Sequence, residues 1–468
     1  MTSSGAFSKL PGAFVTAALL GVVIFDGTRV GDGSSLPLGE IALVIFVFVA
    51  LAHPTWAIIG FFALRLAPDI PLGALPGMNV ATLGTVVLFA MGVGRWSMSD
   101  RRISASPLWA PTLWFHAVLW VSSIYYLGSW GTPQVPIVKD LVGMASGPIL
   151  FLYVLGGDLD RRGAVTVVTA LIVLWAATAG QVIGIGLNGF LSDSAEFSAY
   201  VRRSSTIDEF YPATFIVSAA FLVAAVRLAP VEFSRWIGTF RMLLPALVVA
   251  VMLSTFLGAL TGLILGCGCA LFLTWTRGQW IQFSYTAPIT VLVLLILIAP
   301  LVEPAISVVW TKVSYRLSLD AGAVALQGPL AQRLDLWWPL AWGQFLGHPL
   351  LGIGWNNSWR LLNGPFNLPL YILSLFGMVG GLAFSWWVFA FTRFFHQSVT
   401  FFEEDPFWNC VAIAGFAGLM GSLAFFMTQD GFLGNWSNLF YVFAALLTSA
   451  VRQLPNAELV TLTRARQR

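Results

Sequence analysis

The feature that most constrains this chain is a succession of long apolar stretches separated by short polar segments. Fourteen such stretches can be delimited, and an α-helix needs about 20 mainly apolar residues to cross a bilayer. Only 10% of the residues are charged and 58% are hydrophobic, with a mean hydropathy of +0.83. Helices satisfy their own backbone polar groups in lipid, and the ten-residue alternation typical of β-barrels is absent from the sequence. The sequence therefore predicts an all-α integral membrane protein with about 12–14 transmembrane helices.

The apolar stretches imply a simple domain organisation with two outer loops. Residues 1–302 form a bundle of about eleven spans that includes an outer loop at 189–210. Residues 303–365 form the second, longer outer loop, 366–451 hold the last spans and 452–468 form a tail. Most basic residues outside that long loop fall on the side of the two termini, which the positive-inside rule assigns to the cytoplasm. The spans are expected near 10–28, 38–53, 54–68, 79–94, 107–128, 136–156, 164–188, 211–228, 238–253, 256–276, 284–302, 366–392, 407–428 and 432–451.

The long loop 303–365 contains the most informative local pattern. It holds six tryptophans, which favour short amphipathic helices lying in the membrane interface. Arg333, Trp337 and Ala341 recur every four residues and so share one helical face. This helix is expected to end near residues 347–349. The glycines that follow at 352 and 354 then allow a close backbone turn. A polar piece then leads to Asn367, which opens the next span.

This arrangement resembles the O-antigen ligase and polymerase family of membrane glycan transferases. Members of that family have an arginine-led helix in a long outer loop, then a Pro-Leu-x-Gly-x-Gly turn, and then a His-Asn pair that begins a helix ending in Gly-x-x-Gly. Two further patches, 203–212 and 253–259, resemble the family's arginine-led outer segment and its Ser-Arg-Gly-Ala junction. The chain departs from the family at two positions, with Phe366 in place of the histidine and Phe256 in place of the junction arginine. The matching positions are Arg333, Pro349, Gly352, Gly354, Asn367, Gly377 and Gly380.

The resemblance implies a fold like that of C-type glycosyltransferases and an activity at the outer face of a bacterial inner membrane. The donor would be a glycan on a polyprenyl diphosphate, and the acceptor another glycan or a lipid. Fixed positive charge would stabilise the diphosphate leaving group, so that neither a metal nor another cofactor is required. The candidate catalytic residues are Arg203, Arg333, Asp208, Glu209, Asp335 and His348, and the candidate substrate-binding residues are Arg202, Lys139, Arg316, Arg360, Trp337, Trp355 and Asn367.

Other functions remain open from the residues alone. A C-type polyprenyl-phosphate sugar transferase would use an acidic residue of the first outer loop, where Asp26 and Asp32 lie. A transporter or flippase of lipid-linked glycan, or a structural scaffold of the cell envelope, would fit the same composition. The sequence lacks a Walker A motif, a His-Glu-x-x-His motif and a potassium-channel filter. It also lacks a basic stripe with interleaved aromatics, so no nucleic-acid partner is expected.

Overall fold

The structure is a computed structural model in which residues 38–66, 80–98, 106–125, 134–157, 159–191, 211–253, 257–275, 336–355, 367–427 and 437–453 are described. These residues contain no strand, and they form thirteen α-helices and one short 3-10 helix, Val231–Trp236. The α-helices are α1 Leu38–Ala52, α2 Pro54–Leu66, α3 Val80–Met98, α4 Trp109–Tyr125, α5 Gln134–Gly156, α6 Arg161–Leu191, α7 Tyr211–Leu228, α8 Ile237–Leu253, α9 Leu257–Trp275, α10 Trp338–Gly347, α11 Leu368–Phe401, α12 Pro406–Phe426 and α13 Ser437–Gln453.

Twelve of the fourteen predicted spans coincide with helices, which confirms the prediction of an α-helical membrane protein. Within the described ranges, five helices are long and apolar enough to cross a bilayer, and five shorter ones are also apolar. The predicted spans 10–28 and 284–302 lie outside the described residues, as do most of the loops 189–210 and 303–365.

Local capping explains why two of the long helices begin where they do. Asn367 precedes α11, and its side-chain oxygen accepts a hydrogen bond from the Leu370 amide at 3.2 Å. Asp405 precedes α12 in the same way and accepts from the amides of Phe407 and Trp408. Both helices carry a proline in the first turn, where a missing N–H costs nothing. Each helix start is therefore encoded by a polar cap followed by proline.

The chain divides into two compact units, and the second holds most of the helices. Unit 2 comprises residues 107–132 and 175–443. Its centre is the packing of α7, α9 and α12, where glycines allow the backbones to approach closely. A Cβ on Gly262 would come within 2.5 Å of the Gly421 carbonyl oxygen, and one on Gly266 would lie 3.0 Å from Ile216. Small residues at a helix interface are the usual means of close packing in membranes.

Unit 1 comprises residues 1–106, 133–174 and 444–468, and it contains a helix interruption at Pro54. The helical ladder continues on both sides of it, since His53 N–H donates to Val49 and Ala57 N–H donates to His53. Because Pro54 has no N–H, the Ala50 carbonyl lacks its normal partner four residues on. Two side chains from other helices replace that partner: Arg95 Nη2 at 3.2 Å and the Tyr153 hydroxyl at 3.0 Å.

Candidate functional site

Helix α10 lies in the predicted outer loop and presents an apolar outer surface. Its Ala341 is fully buried and packs toward the interior of unit 2. The exposed positions follow the helical repeat and are apolar, with Leu346 61% exposed and Leu350, just beyond the helix, 64% exposed. A ten-residue helix is too short to cross a bilayer. Its exposed apolar face is a surface that lipid can cover, and its position in the membrane interface stays a prediction.

The end of α10 leads into a compact turn of residues 348–354, here called the docked turn. The His348 N–H closes the helix by donating to Gln344 and Phe345, and the His348 carbonyl accepts from the Gly352 N–H at 2.9 Å. Gly352 and Gly354 have φ angles of 65° and 75°. Residues with a Cβ atom rarely adopt positive φ angles of this size, so this backbone conformation requires glycine at both positions. The helix end and the glycine turn predicted from the sequence are confirmed.

Helix α11 is interrupted at Gly377, within the span predicted at 366–392. Gly377 has φ 65° and ψ −164°, which is not helical. Such a break frees carbonyls on the segment before it and amides on the segment after it. In an apolar environment these groups must find other partners. The apolar span is predicted to run on to residue 392, and the sequence signal that marks the break is the Gly-x-x-Gly at residues 377 and 380, where the resemblance ends a helix.

The docked turn supplies these partners through four backbone hydrogen bonds. Before the break, the carbonyls of Ser374 and Leu375 accept from the amides of Ile353 (3.0 Å) and Gly354 (2.8 Å). After the break, the amides of Met378 and Val379 donate to the carbonyls of Pro349 (2.8 Å) and Leu350 (3.2 Å). The turn and the break therefore complete each other's backbone hydrogen bonding. We call this assembly, residues 348–354 with 374–379, the interlock.

Two glycines make the interlock sterically possible. A Cβ on Gly352 would overlap the backbone of Leu375 and Phe376, and a Cβ on Gly377 would overlap the backbone of Leu350 and Leu351. The obstacles are backbone atoms, which cannot rotate away as a side chain can. Gly352 thus allows α11 to approach the docked turn, and Gly377 allows the docked turn to approach α11. The close contact needs glycine at both positions.

A third segment joins the interlock through a side chain. The Ser122 hydroxyl of α4 lies 2.6 Å from the Leu351 carbonyl oxygen and 3.2 Å from the Leu375 carbonyl oxygen. Ser122 is fully buried. No local pattern distinguishes Ser122 from its neighbour Ser123 in this apolar helix, because the partners of Ser122 lie more than 200 residues away.

Four of the predicted site residues have described side chains, and of these His348 belongs to the interlock and Trp355 follows the docked turn directly. Trp337 and His348 flank α10 and are half-buried, and Asn367 caps the start of α11. Trp355 follows the docked turn and contacts Tyr371 edge to face, with ring centroids 5.9 Å apart. The structure thus brings the glycine turn against residues 374–379 of α11, two patches that lie more than 20 positions apart in the sequence.

The remaining predicted site residues have side chains outside the described part of the structure. Lys139 lies on α5, in its first two turns, but its side chain is outside the described part of the structure. The other predicted residues lie outside the described ranges, and they are Asp26, Asp32, Arg202, Arg203, Asp208, Glu209, Arg316, Arg333, Asp335 and Arg360. Within the described ranges, no group of three or more His, Cys, Asp or Glu side chains could hold a metal ion.

The interlock is a rigid backbone support that contains a single titratable side chain, His348. Such a support can hold neighbouring polar groups in fixed positions while contributing little chemistry itself. Comparison with known proteins adds no assignment, since no family model matches the sequence and no curated protein matches it.

Proposed function

We propose that this protein is a membrane glycosyltransferase that moves a glycan from a polyprenyl diphosphate to a glycan or lipid acceptor. The observation that supports the proposal is the interlock. Of the seven positions that carry the resemblance to O-antigen ligases and polymerases, four belong to the interlock, namely Pro349, Gly352, Gly354 and Gly377, and Gly380 follows it directly. A pattern matched by accident in an apolar sequence would have no reason to converge in space.

The proposed chemistry requires positive charge beside the membrane surface. The diphosphate leaves as an anion, and arginine binds phosphate oxygens through two parallel hydrogen bonds while remaining charged. Arg203 and Arg333 are assigned this role. Arg333 precedes α10 by five residues and lies outside the described residues, so its assignment rests on its position in the sequence motif. The lipid tail of the donor would approach from the bilayer, and the apolar outer surface of α10 would face the same bilayer.

A general base would accept the proton of the acceptor hydroxyl. The family histidine is replaced by Phe366, so the base must come from elsewhere in the chain. His348 is the candidate with the best support, because it stands at the start of the docked turn and is half-buried. Asp208, Glu209 and Asp335 are the alternative bases. The proposed location is the outer face of a bacterial inner membrane, with both termini in the cytoplasm.

The test is transfer by the purified protein in lipid nanodiscs with a polyprenyl-diphosphate oligosaccharide as donor. Arg333→Ala should lower turnover at least 100-fold, the scale of removing one group that stabilises transition-state charge. Arg393→Ala is the matched control, since Arg393 is an exposed arginine near the other end of α11. Wild-type turnover by Arg333→Ala would contradict the assignment.

The glycan pools of a deletion strain separate the two transfer reactions. Full-length glycan retained on the polyprenyl carrier would identify a ligase, whereas single repeat units would identify a polymerase. Normal pools of both would exclude the proposed activity.

Transport of a lipid-linked glycan is the second candidate, and the break in α11 is the observation that favours it. Transporters commonly form their substrate sites from discontinuous helices. Proteoliposomes containing a labelled polyprenyl-diphosphate glycan would distinguish the two functions. Movement of the label across the bilayer without formation of a new glycosidic bond would favour transport.

A further inference from the structure

Ser122 occupies a distinctive place on the surface of α4 that faces α11. Phe115, Val118, Leu119 and Ser122 are spaced as one helical face, and all four are buried. Phe115 contacts Phe384 of α11 with ring centroids 5.5 Å apart, and Val118 lies 3.9 Å from where a Cβ on Gly380 would stand. The buried side of α4 also carries Thr112 and Ser123. Ser122 lies where α11 is broken.

The hydroxyl of Ser122 reaches both halves of the interlock. Leu351 belongs to the docked turn and Leu375 to the segment before the break, and both carbonyl oxygens lie within hydrogen-bond distance. A serine hydroxyl has one proton, so the two carbonyls share it, and the shorter contact is to Leu351. The Leu375 carbonyl already accepts from Gly354. Ser122 is therefore the side chain that fixes the Leu351 carbonyl to α4.

Loss of this contact would leave the fold nearly intact and the docked turn less firmly held. The four backbone hydrogen bonds of the interlock remain without Ser122, so the turn would still dock. Its connection to α4 would be lost, and the turn carries His348 at its start and is followed by Trp355. A displacement of about 1 Å in a catalytic group can lower a rate by roughly 100-fold. The expected effect therefore falls on turnover more than on stability.

From this geometry we infer that Ser122 is a positioning residue for glycan transfer, acting through the docked turn on the groups at its two ends. The inference rests on the proposed function. It assigns to α4, which lacks every motif of the family resemblance, the task of setting where the turn sits. Ser122 itself touches neither donor nor acceptor.

The test compares Ser122→Ala with Ser374→Ala in the full-length protein in nanodiscs. Ser374 is the matched control because it is also fully buried, lies at the same break, and donates at 3.0 Å, but to Tyr371 of its own helix. Ser122→Ala should lower kcat at least tenfold and change KM less than twofold. Hydrogen exchange at the amides of Ile353, Gly354, Met378 and Val379 should become about tenfold faster. Ser374→Ala should change neither kcat nor this exchange.

Conservative variants complete the test. Ser122→Thr keeps the hydroxyl and should retain kcat within about threefold, whereas Ser122→Cys, a weaker donor, should fall between threonine and alanine. If Ser122→Ala does not fold, the same test is made with kcat decreasing in the order serine, threonine, cysteine at position 122. Equal kcat for the threonine and cysteine variants would overturn the inference. Equal losses for Ser122→Ala and Ser374→Ala would also overturn it. Absence of transfer by the wild-type protein would instead remove the proposed function, and the positioning role with it.

Discussion

Helices are interrupted at Pro54 in unit 1 and at Gly377 in unit 2, and the freed backbone groups are satisfied differently. At Pro54 a single carbonyl, that of Ala50, loses its donor and is served by the side chains of Arg95 and Tyr153. At Gly377 the carbonyls before the break and the amides after it form hydrogen bonds with the backbone of the docked turn. Lipid offers no hydrogen bonds, so both sites need a partner from within the protein.

The difference shows which of the two breaks can hold a fixed geometry. A side chain repairs one carbonyl, and another residue can replace it at moderate cost. A backbone repair joins two chain segments in register and demands glycine where they meet. The interlock at Gly377 is thus less tolerant of substitution and more rigid, which suits a support for a site. The repair at Pro54 suits a structural correction inside a bundle.

The largest expected effect is that of alanine at either glycine of the interlock. Gly352→Ala or Gly377→Ala would place a Cβ onto backbone atoms at a φ of 65°. We expect a loss of more than about 3 kcal/mol in the free energy of unfolding, which combines backbone strain with steric overlap. Size-exclusion profiles and thermal midpoints in detergent would measure it. Gly343→Ala is the control, since nothing lies within 4 Å of a Cβ at that position, and equal behaviour of the three variants would contradict the interlock.

A smaller effect is expected at the side-chain repair. Arg95→Met removes the charged donor to Ala50 and the guanidinium that lies 4.8 Å from the centre of the Tyr153 ring. Tyr153 still donates to the carbonyl, so the expected destabilisation is about 2 kcal/mol, the range of a hydrogen bond to a charged group. The exposed Arg162 provides the control variant Arg162→Met. A thermal midpoint for Arg95→Met equal to that of this control would show that the contact contributes nothing.

The two breaks also differ in how far the sequence predicts them. Spans such as 38–53 and 407–428 were located well, because an apolar stretch of sufficient length has few alternatives in a membrane protein. The glycine turn was predicted because Gly352 and Gly354 stand close together after a helix end. The break at Gly377 was indicated only by the Gly-x-x-Gly of the resemblance, and the docked turn that completes its hydrogen bonding lies more than 20 positions away. The sequence identifies Arg95 only as a basic residue between two spans. Its hydrogen bond to the Ala50 carbonyl joins residues 45 positions apart, so no local pattern indicates it.

The candidate site was predicted in outline and only partly located. His348 and Trp355, predicted from the motif, lie in the docked turn or directly after it, and Asn367 caps α11. Ser122 was missed for the physical reason that hydrogen bonding across a fold leaves no trace in local hydropathy. The arginines that would supply the chemistry, Arg203 and Arg333, lie outside the described residues. Sequence patterns thus predicted the backbone of the site better than its side-chain environment.

The smallest expected effect tests why the Pro54 break needs its side chains at all. Tyr153→Phe removes one neutral hydrogen bond to the Ala50 carbonyl and should cost about 1 kcal/mol. Pro54→Ala restores an N–H four residues after Ala50, where the flanking ladder at His53 and Ala57 is already helical. That amide would compete with the tyrosine for the same oxygen. The cost of Tyr153→Phe should therefore fall to less than half in the Pro54→Ala background, as measured by a double-mutant cycle on thermal unfolding.

Additive costs in that cycle would mean that Tyr153 stabilises unit 1 by packing rather than by replacing the missing donor. The side-chain repair at Pro54 would then rest on Arg95 alone. No equivalent suppression is possible at Gly377, since a single substitution cannot restore a helical ladder whose amides and carbonyls are both committed to the docked turn. A strong coupling at Pro54, together with the intolerance of Gly377 to alanine, would separate a correctable helix break from one on which the architecture depends.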